Sequence, residues 1–417
     1  MHAEQIQTAS SPSAKNASTA TQGSAWLLPR PVIDRTMKIA GYELIASPAP
    51  ASGGAASPRA NANEQMLAAI EDLVENWPFG ERLVFMDAAA IAGNQAALAP
   101  LAEHKISLCC GSDEASLQLA GQLHQSGFGI VIDSTKAADS LMLPPFADYI
   151  RISPAGMPAP ALEALAAAYR GNAFRRLIAV PATAEEFERC GTLGVHLFQG
   201  DWYMRPGKRG THKVEPLPTQ VFTILNLVKE HADIREIEEA LKLDAALSWK
   251  LLHYINSAGF GMEREIQSFR HAVTVLGYDN LQRWLTLLLI AGRDKESNPA
   301  LVHAAVVRGR FTELLGKGRV GQTDLDNLFM VGVFSLIDVL LDTSRAEAIK
   351  PLNLPAPIRE ALLENKGAYA PFLGLAEACE SGDFAKTAAL ARMIKVAPRE
   401  VNAFRLEALA WANTLGI

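Results

Sequence analysis

The chain is poor in several groups on which metal sites and hydrolases depend. Its 417 residues include four cysteines. Cys109 and Cys110 are adjacent, Cys190 and Cys379 stand alone, and no CxxC pair occurs. This spacing excludes a disulfide framework and a cysteine-built zinc site, and it fits a reducing cytoplasm. No GxSxG elbow is present. GKGRVGQT (316–323) has glycines and a lysine without the spacing of a phosphate-binding loop. Trp284–Ala291 and Leu328–Leu341 are the most apolar later runs. Both are too short to span a bilayer, and Asp338 interrupts the second, so they are expected as buried helices and no membrane association is expected. A basic excess is also lacking. The net charge is -6 and the pI near 5.9, which argues against nucleic acid as a main partner.

What is there suffices for two cores: 49% of residues are hydrophobic and 20% charged, and the length suggests two domains. Residues 1–25 begin rich in Ala, Ser, Thr and Gln, carry no apolar leader core, and are expected to be a disordered tail. From 26 to 207, β-rich runs alternate with helical patterns. The runs are RPVIDR (30–35), AGYELIAS (40–47), RLVFMDA (82–88), ISLCCG (106–111), GIVIDS (129–134), DYIRIS (148–153), RLIAVP (176–181) and HLFQGD (196–201). Helical spacing marks 63–77, 113–126 and 159–169. Eight strands mostly separated by helices predict a parallel α/β barrel or a doubly wound sheet. The first two strands are too close in sequence to be a parallel pair.

After a polar, basic linker at 208–213 the rhythm changes, and 214–417 reads as all-helical. Pro216 and Pro218 precede a helix ending near Glu230. Asp233 with Glu236 is a capping box for the next. Asp244 caps a helix to Ala258, ended by Gly259 and Gly261. Ser268 starts another.

Two resemblances emerge from particular motifs. IAGYELIAS (39–47) and LGVHLFQGDWYMRP (193–206) resemble the first and last signatures of EAL domains, barrel phosphodiesterases that hydrolyse cyclic di-GMP. PLPTQVFTILNLV (216–228), ALSWKLLHYINSAGFG (246–261) and IQSFRHAVTVLGYDNLQRWLTLLL (266–289) resemble the HDOD domain, a catalytically degraded relative of HD-type phosphohydrolases. Together they resemble the EAL–HDOD family of bacterial signalling proteins. The resemblance implies a trimmed, TIM-like EAL barrel over 26–207 followed by an all-α HDOD domain over 214–417.

In that barrel, hydrolysis would need two divalent ions held by carboxylates at the strand ends. Glu43 is the glutamate of the signature. Ser47 stands where the resemblance places a phosphate-binding arginine. Asp87 replaces an asparagine. Cys109, Cys110 and Gly111 replace a glutamate. Asp133 is kept, but Ser134 replaces its acidic neighbour. Arg151 replaces a lysine, Val180-Pro181 replaces glutamate-glycine, and Gln199 is kept. Thiols are poor ligands for hard ions. The barrel is therefore expected to be catalytically inactive, with no cofactor or metal. Glu43, Asp133, Arg151 and Gln199 remain as vestigial ligand-binding residues. Structural roles compete for each: Asp133 as a helix N-cap, Glu43 as an ion-pair partner of Arg151, Gln199 and Gly200 as turn residues.

The helical half lacks an HD site, since none of its histidines precedes an aspartate. VGVFSLIDVLL (331–341) stands where relatives place that pair. His271 and His303 read as solvated or core-edge residues, and His253 as a packing residue. Arg308, Arg310, Lys317 and Arg319 read as a basic helix end that complements the dipole. The expected function is a non-enzymatic cytoplasmic adaptor that contacts other signalling proteins, with the resemblance implying a homodimer. The alternative is a cyclic di-GMP receptor that binds without hydrolysis.

Overall fold

Prolines shape the first strand. β1 (Trp26–Asp34) holds Pro29 and Pro31, and a tight turn at Thr36–Met37 returns the chain along β2 (Ile39–Ser47). Asp34 builds that turn, its Oδ1 accepting from the Thr36 and Lys38 backbone N–H groups. The pair is antiparallel, with Arg30 opposite Glu43. In this computed structural model the described residues are 25–47, 58–91, 95–133, 144–155, 157–170, 176–205, 219–243, 277, 278, 281, 285, 298–352 and 354–415. The linker at 208–213 and the predicted helices begun at Asp244 and Ser268, with His253 and His271, lie outside them.

The remaining strands are β3 (Leu83–Asp87), β4 (Ile106–Cys110), β5 (Gly129–Asp133), β6 (Tyr149–Ile152), β7 (Arg176–Ala179) and β8 (Leu197–Phe198). They run parallel from β2 onward and close as a barrel in sequence order. Outer helices are α1 (Pro58–Glu75), α2 (Gln95–Ala102), α3 (Glu114–Gln125), α4 (Ala159–Arg170) and α5 (Ala184–Thr192). The strands alternate in direction of side chains, so one set fills the lumen and the other meets the helices. Val32, Phe85, Cys109, Val131, Tyr149, Ile178 and Leu197 form the inner core. Phe85 and Tyr149 meet there edge to face, 5.3 Å apart. The barrel is the fold the strand–helix alternation predicts. Its first strand starts four residues earlier than expected, because Trp26–Pro29 carries no polar alternation.

Among the described residues, the helical half has α6 (Thr219–Lys229), α7 (Ile234–Lys242), α8 (Pro299–Gly316), α9 (Gln322–Phe334), α10 (Ile337–Leu341), α11 (Arg345–Ile349), α12 (Ala356–Glu364), α13 (Ala370–Ser381), α14 (Phe384–Met393) and α15 (Pro398–Thr414). Asp233 caps α7 by accepting from the Arg235 N–H. Leu328–Leu341 is indeed mostly buried helix. α8 and α9 cross closely. A Cβ at Gly332 would lie 2.6 Å from the Arg308 carbonyl oxygen, so only glycine permits the approach.

Candidate functional site

Alternation along the strands aims Arg30, Glu43, Asp133, Arg151 and Gln199 into one end of the lumen. The β2–β3 through β6–β7 pairings put Asp87, Cys109 and Val180 on that face as well. Four of these side chains form a continuous chain of opposite charges. Arg30 donates from Nη2 to Glu43 Oε2 at 2.7 Å. Arg151 reaches Glu43 Oε1 at 3.5 Å and Asp133 Oδ2 at 2.6 Å, with its Nε also on Oδ2 at 3.2 Å. The four are 13–22% exposed. Two guanidinium groups face two carboxylates, so this network is electrically balanced within itself.

The structure thus brings Glu43, Asp133 and Arg151 together. Glu43 takes the ion-pair role with Arg151. Asp133 pairs with the same arginine, an interaction that the helix-cap reading does not include. Arg30 is the member that the motifs miss, since it comes from the antiparallel strand before the signature. Its signal was available: Arg30 falls on the same alternation as Val32, which is buried in the lumen. Gln199 is 1% exposed, and neither side-chain amide atom has a partner in the structure. Its backbone N–H bonds to the Ala179 carbonyl, and Gly200 follows at φ 105°, which permits the sharp exit.

The residues present do not fit a pair of divalent ions. Each described acid at the mouth except Asp87 is engaged by a guanidinium. Asp87 instead caps a 3-10 turn, accepting from the Ala89 N–H. Burial pushes the Cys109 thiol up to about 12 and the Cys110 thiol to about 11, so neither offers a thiolate at neutral pH. Among the described residues no three His, Cys, Asp or Glu side chains gather as a metal site.

The region where an HD pair would stand has become part of a second charged network. Arg308 is buried in mid-helix and does not sit at a basic helix end, which corrects the dipole reading for this residue. Its Nε and Nη2 donate to Glu380, and its Nη1 to Ser335 Oγ at 2.6 Å. Arg405 reaches the same Glu380 at 3.3 Å and lies 5.4 Å over the Phe311 ring. His303 is also buried, 2% exposed, which corrects its placement as a solvated or core-edge residue. Its Nε2 meets Asn413 Oδ1 at 3.3 Å. These residues lie under the barrel's closing motif: Tyr203 and Met204 line one small cavity with His303, Glu380 and Arg405.

The HDOD domain family matches residues 214–337. Among curated proteins, YuxH of Bacillus subtilis is 26% identical over 237 residues, 56% of this chain and 57% of that one. A Vibrio cholerae protein named cyclic di-GMP phosphodiesterase CdgJ is 28% identical over 218 residues, 52% of this chain and 50% of that one. The match thus spans about half the length of these relatives. Solved structures that align include the EAL enzyme Bd1971 with cGMP bound (13% identity, TM-score 0.31, 42% of this chain and 61% of that) and the EAL-like domain protein YdiV (15%, 0.31, 42% and 89%). Among the described residues no helix is long and apolar enough to cross a membrane. The HDOD match beginning at residue 214, with the EAL signatures lying on the strands of a closed barrel before it, supports an EAL–HDOD arrangement of the chain.

Proposed function

We propose that the protein is a non-enzymatic signalling adaptor whose barrel and helical half serve as surfaces for other signalling proteins. The observation that carries this reading is the closed Arg30–Glu43–Arg151–Asp133 network. A divalent ion at Glu43 would have to displace two guanidinium groups from it, and the strand-four and strand-seven positions offer Cys109 and Val180 in place of acids. Ser335, bonded to Arg308, supports the same reading for the helical half. The domain limits we propose are 26–207 and 214–417, joined by 208–213. The test is incubation of the purified protein with cyclic di-GMP and Mg²⁺ or Mn²⁺, following the linear dinucleotide by chromatography. No turnover is expected. Metal-dependent turnover abolished by Glu43→Ala would overturn the proposal.

One observation favours the receptor reading: Gln199 carries a buried, unpartnered amide on the lumen face that also bears Arg30 and Arg151. A bound cyclic dinucleotide would give its phosphates to Arg30 or Arg151 and a base edge to Gln199. Calorimetric titration of cyclic di-GMP tests this. Micromolar binding lost in Gln199→Ala and Arg151→Ala supports it; no heat at high ligand leaves the adaptor.

A further inference from the structure

We infer that α15, which lies beyond the 214–337 HDOD match, is the barrel's missing outer cover, and that the barrel and the C-terminal helices open as one unit. The need arises in β1. A hairpin joins β1 to β2, so no crossover helix is available to cover β1. Its partner on the other side, β8, pairs with it only at Ile33 and Asp34. The upper part of β1 is therefore an edge within a nominally closed barrel, and an edge with free N–H groups is a liability.

The sequence blunts that edge residue by residue. In a strand the N–H groups of alternate residues point to the same side. Leu27 N–H points away from β2, because it donates to Asn402 Oδ1 of α15 at 3.1 Å. Positions 29 and 31 share that direction, and both are proline, with no N–H to satisfy. The Ala25 carbonyl, on the same side, accepts from Asn402 Nδ2 at 2.9 Å. One side-chain amide thus pairs with β1 as a neighbouring strand would. Asn402 is 8% exposed, and the α15 residues buried with it include Val401, Leu406 and Leu409. Leu27 and Ile33 on the outer face of β1 are 2% and 1% exposed. At the other end of the strand pair, the Ala300 N–H of α8 bonds to the Met37 carbonyl.

Native-state hydrogen exchange on the full-length protein, read by mass spectrometry in rising urea, tests the inference. Peptides from 26–34 and 398–414 are expected to lose protection together. Asn402→Ala is expected to speed exchange of both by about tenfold, the loss that follows when a buried donor loses its partner. Should that variant fail to fold, Asn402→Ser keeps a small uncharged hydroxyl that can serve one of the two partners, and a smaller loss in both segments is expected. Loss of protection in 398–414 while 26–34 stays protected, in the wild type or in either variant, would overturn the inference. This test is independent of whether the mouth binds anything.

Discussion

Among the described residues, two arginine–carboxylate networks differ sharply in balance and burial. The network at the mouth links two arginines and two acids, 13–22% exposed. The network beneath the closing motif has Arg308 and Arg405 on the single acid Glu380, each with a side chain about 5–6% exposed. The first is a self-neutralised remnant at the strand ends, where water can still screen each charge. The second sets two guanidinium groups on one contacting carboxylate, with side chains almost closed to water. Burial makes every uncompensated charge costly, so the two networks should respond very differently to the loss of one carboxylate.

The largest effect is expected for Glu380→Gln, which removes the one carboxylate that both buried guanidinium groups contact. Breaking such a pair costs about 3–5 kcal/mol. Equilibrium urea denaturation of the variant measures it. A loss below 1 kcal/mol would show that the network relaxes into solvent and that the contrast in burial does not govern. His303 gives the next effect. Burial, and behind it the fields of Arg82 and Arg405, push its pKa down to about 4, against a raising hydrogen bond to Asn413. The native state therefore refuses a proton that the unfolded chain accepts near 6.5. Stability should be fully present above pH 6.5 and fall as pH drops toward 4, by on the order of 3 kcal/mol from this group. His303→Gln should flatten that part of the stability–pH curve. An unchanged slope would assign the acid sensitivity elsewhere.

Glu43→Gln sharpens the comparison from the other side. It removes the acid shared by Arg30 and Arg151, yet Asp133 still holds Arg151 at 2.6 Å and water reaches the rest. The expected loss is about 1–2 kcal/mol, between the values for exposed and buried pairs. A loss matching that of Glu380→Gln would mean that the mouth is as dry as the network around Glu380.

The parts of this arrangement legible in the sequence are those that repeat locally. Alternating strands and helical spacing predict the barrel, because pleat and helix periods act over a few residues. The mouth is half legible: Glu43, Asp133, Arg151 and Gln199 sit in motifs, and strand alternation aims them inward. Arg30 escapes although it opens the run RPVIDR, because it precedes the EAL-like signature and no motif names it. Arg308 and Glu380 escape for another reason. They are 72 residues apart in sequence, and a polar residue on a helix reads as exposed until a partner from another helix is known. Asn402 is the extreme case, since its partners, Ala25 and Leu27, lie at the opposite end of the chain.

A third ion pair separates geometry from burial. Arg399 of α15 grips Asp72 of α1 with both Nε and Nη2, at 2.7 and 2.6 Å, a better fork than either arginine makes at the mouth. Its side chains are 72% and 31% exposed. If exposure decides what a pair contributes, this one contributes least of the three, about 0–0.5 kcal/mol, despite its geometry. A double-mutant cycle with Arg399→Ala and Asp72→Ala, followed by urea denaturation, reads the coupling directly. A coupling above about 1 kcal/mol would make the fork itself the source of stability. The docking of α15 would then rest on this surface pair as much as on Asn402. A coupling near zero leaves α15 held by its apolar face and by one buried amide, and it ranks the charged networks of this protein by access to water alone.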